Sequence, residues 1–488
     1  MNYLHISINV IVMAAIYTKY SLPNNTLSFI TKAYKNTIFF GPNHIVRNIF
    51  NQKTNNEAFD IIVVGGGMVG TTLACALANN KCLQSKKILL LEAGNKQKYV
   101  SNDQYSNRVV ALNKYSKLLL SNIGAWKHIQ SHRFTPIVKM QIWDAYSDAM
   151  LTFNDDYLSQ ALAYIVENDL LLHAVHTQLS KKKSVTIINN AKVEHINLSN
   201  NIGIDSNILL KSGENFKAKL LIGADGQMSK VRDAMGVKYV DWDYDQMGIV
   251  ATVKLCETIE NVAWQRFLPN GTIALLPLTN SLCSLVWCIT TEEAKRLLQI
   301  SEEEFIDNLN DAFLKVYPKD ELVKCGMQAF KKLFENFQLP SAVSRQLQPS
   351  IAGIVDGSRA AFPLGFGHAL HYVQPGVALV GDAAHRVNPL AGQGVNLGFG
   401  DVTVLVEVLA KAVNNGALIG DTTYLHNYES IRLKYNIPTM LTIDALHRLY
   451  KTTASPIILA RSLGLQLTNI VKPLKNFLIK HAAGTENI

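Results

Sequence analysis

Residues 59–78 read FDIIVVGGGMVGTTLACALA. The first six residues are mostly apolar, with four β-branched side chains, as in a short strand buried on both faces. A glycine cluster follows at once, and TTLACALA after it has the small apolar residues of a packed helix. Gly65, Gly67 and Gly70 divide the work of a G-x-G-x-x-G turn. Gly65 permits the tight bend, Gly67 lets a pyrophosphate approach the backbone, and Gly70 lets helix and strand pack closely. The helix N-terminus then offers free N–H groups and about half a positive charge to phosphate oxygens. KKILLLEAG at 86–94 reads as a second buried strand. Strand, turn, helix and strand thus fit within a single βαβ unit. Glu92 lies 22 positions beyond Gly70. A carboxylate there accepts from ribose hydroxyls and repels a 2′-phosphate. Together these residues predict a dinucleotide site.

A second glycine-rich stretch, GDAAHRVNPLAGQGVNLGFG at 381–400, decides which dinucleotide. VALVGD (377–382) is a buried strand ending in Asp382, whose carboxylate suits sugar-alcohol hydroxyls. Pro389 then reads as a helix start that takes in Gly392 and Gly394. Each glycine inside a helix costs roughly 1 kcal/mol against alanine, so two in the first turns need a reason. A flat isoalloxazine ring lying on bare backbone supplies it, and the positive helix end favours a reduced flavin. The expected cofactor is FAD rather than NAD.

LLIGADGQMSKVRDAMG (220–236) places Asp225-Gly226 after another buried strand. Alone, it reads equally as a strand-to-helix turn with an aspartate cap and a surface Arg232. Arg108 in SNRVVALN (106–113) is ambiguous by itself, and His385 beside Asp382 suits a structural hydrogen bond better than a catalytic base. No side chain declares itself a catalytic acid, base or nucleophile.

The body of the chain is α/β: a Rossmann-like FAD-binding domain (57–240 and 361–438) interrupted by a mixed or antiparallel-sheet substrate domain (241–360). In that insert NVAWQRFLPNGTIALLPL and SLCSLVWCIT read as strands, with Asn270-Gly271 as a hairpin signal. Thr290 with Glu293, and Ser301 with Glu304, have the spacing of helix-capping pairs. After Asn436-Ile437-Pro438 a helical tail (439–488) carries six Lys or Arg from Leu441 onward against Asp444 and Glu486, and it suits packing on the body or lying on an anionic membrane. Residues 1–56 hold five bases and no acid out of a net charge of +9. They read as a mitochondrial targeting or extension segment. With so much of the charge there, a nucleic-acid binder is excluded as the reading. Six cysteines without a CxxC pair point to a reducing compartment, no disulfide framework and no metal site.

The G-x-G-x-x-G turn, a DG turn midway and GDAAH-x(3)-P-x(2)-GQG late resemble the three-part pattern of the single-component FAD-dependent aromatic hydroxylases, from about Phe59 to Tyr450. HRVNPLAGQGVNLGFGD and WQRFLPNGTIALLPL resemble the ubiquinone-biosynthesis hydroxylases, in particular the eukaryotic mitochondrial group acting on ring carbon 5. The resemblance implies that Gly65, Gly67, Gly70 and Glu92 hold the ADP half of FAD, with Arg108 along the cofactor. It places Asp225 in the DG motif that meets FAD and the pyridine-nucleotide route, and Asp382 on the ribityl chain. Gly392, Gly394 and Asn396 fall near the flavin ring, and Asn388 stands where a histidine is common. Implied also are a polyprenylated phenolic substrate and O₂, hydroxylated by a flavin hydroperoxide, and ferredoxin with its reductase as electron donor. A multi-enzyme ubiquinone-biosynthesis complex and a peripheral position on the matrix side of the inner mitochondrial membrane complete the expectation. The rivals are another aromatic hydroxylase or epoxidase using NAD(P)H directly, and a non-catalytic prenyl-binding escort protein.

Overall fold

In the computed structural model the first strand, Asn56–Val64, pairs in parallel on both sides, with Ile88–Glu92 and with Asn215–Gly223. The structure describes residues 56–95, 99, 104–147, 149–154, 161–199, 203–335, 346–471, 473–476 and 478, so the expected targeting segment lies outside the described residues. The parallel run continues outward to Val185–Asn189 on one side and Val377–Leu379 on the other. Ile61, Ile62, Val63, Leu89, Leu90, Leu221 and Ile222 are fully buried, as strands covered by helices on both faces require. Helix Met68–Asn79 covers the sheet with Leu73, Ala74 and Leu77, and helix Gly394–Asn414 packs against that helix.

A second sheet of nine strands forms the other layer, around a core of Trp143, Trp264, Phe305 and Phe313. Its centre is the 17-residue strand Tyr239–Leu255, flanked by Leu282–Thr290 and Ala360–Ala369. The sheet also takes in Lys139–Asp144 and Met150–Asn154, which precede the expected insert, because Lys139–Asp144 pairs in parallel with Val262–Leu268. Such pairing is invisible in local sequence pattern.

Two local expectations resolve differently from their reading. The hairpin turn residues are Pro269 and Asn270, since Leu268 pairs with Gly271. A Cβ on Gly271 would lie 1.8 Å from the Cys288 carbonyl oxygen, so close strand approach demands the glycine. Helix Thr422–Lys451 runs unbroken across Pro438, where the tail was expected to start. Pro438 sits on the exposed side, where a carbonyl left without its N–H partner can be solvated. The two capping expectations hold: Thr290 Oγ1 accepts from Glu293 N, and Ser301 Oγ accepts from Glu304 N.

Candidate cofactor and substrate site

Register brings the three turns together. Val64 pairs with Leu91 and with Gly223, and Gly223 pairs with Leu379, so four parallel strands end side by side. The turns leaving those ends hold Gly65–Gly67, Glu92, Asp225-Gly226 and Gly381-Asp382. Ligands of open α/β sheets bind beyond such carboxyl ends. The turns also touch one another. A Cβ on Gly65, whose φ is +108°, would strike the Ala224 carbonyl at 2.2 Å, and one on Gly70 would strike the Gly65 carbonyl at 2.0 Å. Arg232 donates to the Ala383 carbonyl at 3.2 Å and to Gln227, and its guanidinium stacks on Tyr239 at 3.8 Å. The surface Arg232 of the local reading is therefore corrected: it is buried, because it bolts the DG turn to the GD turn.

Gly67 differs from its neighbours, for a Cβ there would meet no protein atom within 4 Å. Nothing in the protein demands that glycine, whereas a pyrophosphate lying on the helix N-terminus does. Gly394 is similar, its Cβ reaching only Val387 at 4.0 Å. The helix expected from Pro389 is corrected. Pro389–Ala391 form one tight 3₁₀ turn, Gly392 takes a left-handed φ of +59°, and the α-helix starts at Gly394. Gly392 thus serves a change of direction rather than sitting inside a helix.

The polar residues divide into engaged and free. Glu92 accepts from Gly66 N and Gly94 N, both at 2.6 Å, and lines a cavity of about 1420 Å³ with Gly66, Gly67, Asn107 and Ser358. Asp225 caps the short helix Lys230–Met235, accepting from Ser229 Oγ at 2.5 Å and from Lys230 N at 2.7 Å. Burial raises its carboxyl above the usual value while those donors oppose the rise. Asn396 has both ends of its amide occupied: Oδ1 by Asn113 N and Ser116 Oγ, Nδ2 by the Ala111 and Gly392 carbonyls. It pins the glycine turn to the strand Val109–Leu112, leaving backbone as the surface offered to a ring. Arg108 is exposed, with no side-chain partner among the described residues.

Asp382 is the free acid. Its carboxylate has no hydrogen-bond partner among the described residues and is open to solvent, yet protein crowds it closely enough to raise its carboxyl, against the pull of His385 and Arg386. An exposed carboxylate without a partner among the described residues, beyond the carboxyl ends of the parallel strands, suits ligand hydroxyls. With Gly67 and Gly394 it makes the site fit FAD.

Sequence reasoning missed the group that holds this turn in place. Asp401, fully buried in helix Gly394–Asn414, accepts from Gly381 N at 2.9 Å, His385 Nε2 at 2.6 Å and Arg432 Nε at 2.7 Å. These charges hold its carboxyl at about 2, although burial alone would raise it. His385 is therefore structural, as expected, but its partner is Asp401 rather than Asp382. The signal was an acid between small and apolar residues in a helical run, GFGDVTVLV, which needs a buried cation.

Beyond the flavin turn, Leu390 and Asn388 border a crevice whose opposite wall is Phe267, Leu268 and Tyr450. Its free volume, about 10 Å³, holds no more than one water. Phe267 and Tyr450 stack with centroids 3.5 Å apart, and Gln265 Nε2 donates to the Leu390 carbonyl at 3.1 Å.

Fold and site define an FAD-binding oxidoreductase, and a family described as FAD binding domain matches residues 58–325 and 358–437. "Ubiquinone biosynthesis monooxygenase COQ6, mitochondrial" of Drosophila melanogaster is 48% identical over 437 residues, 89% of this chain and 91% of that protein. The Homo sapiens protein of the same description is 44% identical over 88% of this chain and 93% of its own length. The chain belongs to this family of mitochondrial FAD-dependent monooxygenases, which hydroxylate an aromatic ring in ubiquinone biosynthesis. In fold it is similar to p-nitrophenol 4-monooxygenase PnpA of Pseudomonas putida, with a TM-score of 0.64 at 18% identity over 88% of this chain and all of that one. The crystal structure of pqsL, a probable FAD-dependent monooxygenase from Pseudomonas aeruginosa, gives 0.61 at 19% identity, over 84% of this chain and 100% of that one.

Proposed function

We propose that the chain hydroxylates carbon 5 of a polyprenylated phenolic ubiquinone precursor, at the matrix face of the inner mitochondrial membrane and on reduction by ferredoxin. The crevice between Leu390 and the Phe267–Tyr450 pair carries this reading, for it sets an apolar wall opposite the turn that fits the flavin. A phenol ring enters when the two stacked rings part. FAD, when bound, supplies the redox chemistry that activates O₂. The chain's own part is orientation and exclusion of water. Gly392 and Gly394 leave backbone open to the flavin, Asn396 fixes that backbone, and Asp382 accepts from the ribityl hydroxyls. Gly65, Gly67, Gly70 and Glu92 cradle the ADP half, with Arg108 along the cofactor and Asp225 shaping the DG turn.

The sequence holds one strand–GxGxxG–helix unit, so the reductant either docks transiently along the DG surface or comes from a protein, and the resemblance favours ferredoxin. Among the described residues no helix is long and apolar enough to cross a membrane; peripheral attachment within a multi-enzyme complex is what the family resemblance implies. The test is anaerobic reduction of the yellow protein, followed by ¹⁸O₂ and a prenylated 4-hydroxybenzoate-type phenol. Bleaching by reduced ferredoxin and a product with one labelled oxygen at carbon 5 is the expected result. Rapid bleaching by NADPH alone would refute the donor, and an unlabelled or unchanged phenol would refute the substrate.

A further inference from the structure

Two amide side chains line the crevice beside the flavin turn, Asn388 and Gln246, and they are only 1% and 3% exposed. In Asn388 the acceptor end is used. Oδ1 accepts from Leu390 N at 3.0 Å and caps the 3₁₀ turn, which leaves Nδ2 as a buried donor with no partner among the described residues. In Gln246, on the strand Tyr239–Leu255, the donor end is used. Nε2 donates to the Asn270 carbonyl at 3.1 Å, which leaves Oε1 as a buried acceptor with no partner among the described residues. Those two bonds settle which end of each amide is oxygen and which is nitrogen. The Thr272 hydroxyl on the same crevice is already engaged with the Cys288 thiol. Buried amide ends are ordinarily paired, so two unpaired ones at one crevice call for an atom that serves both. The free volume of about 10 Å³ admits a single oxygen. That oxygen must accept from Asn388 and donate to Gln246 at once. A water or a hydroxyl does both, whereas an ether or carbonyl oxygen cannot donate.

We infer that Asn388 and Gln246 hold the ring hydroxyl of the phenolic substrate, Nδ2 of Asn388 donating to its oxygen and Oε1 of Gln246 accepting its hydrogen. The inference rests on the proposed substrate. When the Phe267–Tyr450 pair parts, the incoming hydroxyl replaces water at these two groups and reproduces both of its hydrogen bonds, so the exchange loses neither. Asn388 belongs to the flavin turn and Gln246 to the central strand of the second sheet. A hydroxyl shared by the two is tied to both walls, and the ring carbon next to it is presented at the flavin turn. In a 4-hydroxybenzoate-type ring carbon 5 is such a neighbour, and the hydroxyl makes it electron-rich. The pair therefore chooses the position on the ring as well as the ligand.

The test is titration of the oxidised, FAD-loaded full chain with a geranylated 4-hydroxybenzoate and with its ring methyl ether, followed by the change in flavin absorbance. The wild type should bind the phenol about tenfold more tightly, because the ether leaves Gln246 Oε1 unpaired. Gln246→Met keeps the bulk and removes the acceptor. It should weaken the phenol about tenfold, leave the ether unchanged and so abolish the preference. Asn388→Ser keeps a cap for the turn but withdraws the donor, and should weaken both probes alike, by about fivefold. Flavin content and melting temperature are read alongside. Equal wild-type affinity for the two probes overturns the inference and leaves the substrate reading standing. A preference that survives Gln246→Met comes from the bulk of the methyl group and overturns it as well. So do variants that lower the melting temperature without moving either affinity, since the pair then holds a structural water only. If neither probe binds the wild type, the substrate reading fails and this inference falls with it.

Discussion

Replacing Asp401 by asparagine keeps the shape of the side chain and removes its charge. The guanidinium of Arg432, 3% exposed, then loses its counter-ion in the buried interior. Breaking a buried pair from one side costs about 3–5 kcal/mol. The carboxyl's displacement from 3.8 to about 2 accounts for roughly 2 kcal/mol of this. The remainder is hydration that Arg432 cannot recover. The native carboxyl is depressed, so its contribution is complete above pH 3.8 and lost as pH falls toward 2. Asp401→Asn should therefore flatten the acid limb of the stability curve. Urea unfolding followed by tryptophan fluorescence at saturating FAD measures the loss, with ligand linkage held constant. Arg432→Met alone should cost a similar amount, because it leaves Asp401 Oδ1 without its cationic partner. The double change should recover most of either loss, because neither charge is then left alone. If the double variant loses the sum of the two singles, the pair is not the unit of stability described above.

Three further outcomes follow from the site. Gly67→Ala should leave the melting temperature of the apoprotein unchanged and weaken FAD binding, measured by flavin titration, whereas Gly70→Ala should prevent stable folding, since its Cβ would lie 2.0 Å from a carbonyl oxygen. Asp382→Asn should reduce retained flavin and also stabilise the apoprotein near neutral pH. A carboxyl raised by the fold opposes folding increasingly as pH rises through its native value, so thermal melts of the two apoproteins should converge at low pH. Widening the crevice by Tyr450→Ala should leave flavin content intact and lower KM for phenols with bulky ring substituents, read in steady-state assays.

The glycine turns were legible because each glycine answers a local demand, a bend or a close approach, that no other residue meets. Gly65 and Gly70 meet theirs from the protein side, and beside Gly67 no protein atom lies within 4 Å of a Cβ. The capping residues Thr290 and Ser301 were legible for the same reason, their partners lying three positions away. What escaped was every interaction between distant residues. Asp401 looked like one more helical position, and only the packing of Thr422–Lys451 supplies Arg432 to it. Lys139–Asp144 gave no sign that it would extend a sheet built more than a hundred residues later. Arg232 and Arg461 read as surface cations because burial of an arginine depends on acceptors the local sequence does not contain.

Arg461 has a consequence for how the chain is made. Its guanidinium grips Asp144 through two nitrogens and reaches the carbonyls of Leu449, Tyr450 and Thr452 through the third. Asp144 is only 1% exposed. Until the ribosome has passed residue 461, that carboxylate waits inside a sheet with no counter-ion, however well the FAD domain has already formed. A message cut short just before codon 461 therefore yields a protein flawed at its second sheet and beside its substrate crevice, not one that merely lacks an ending.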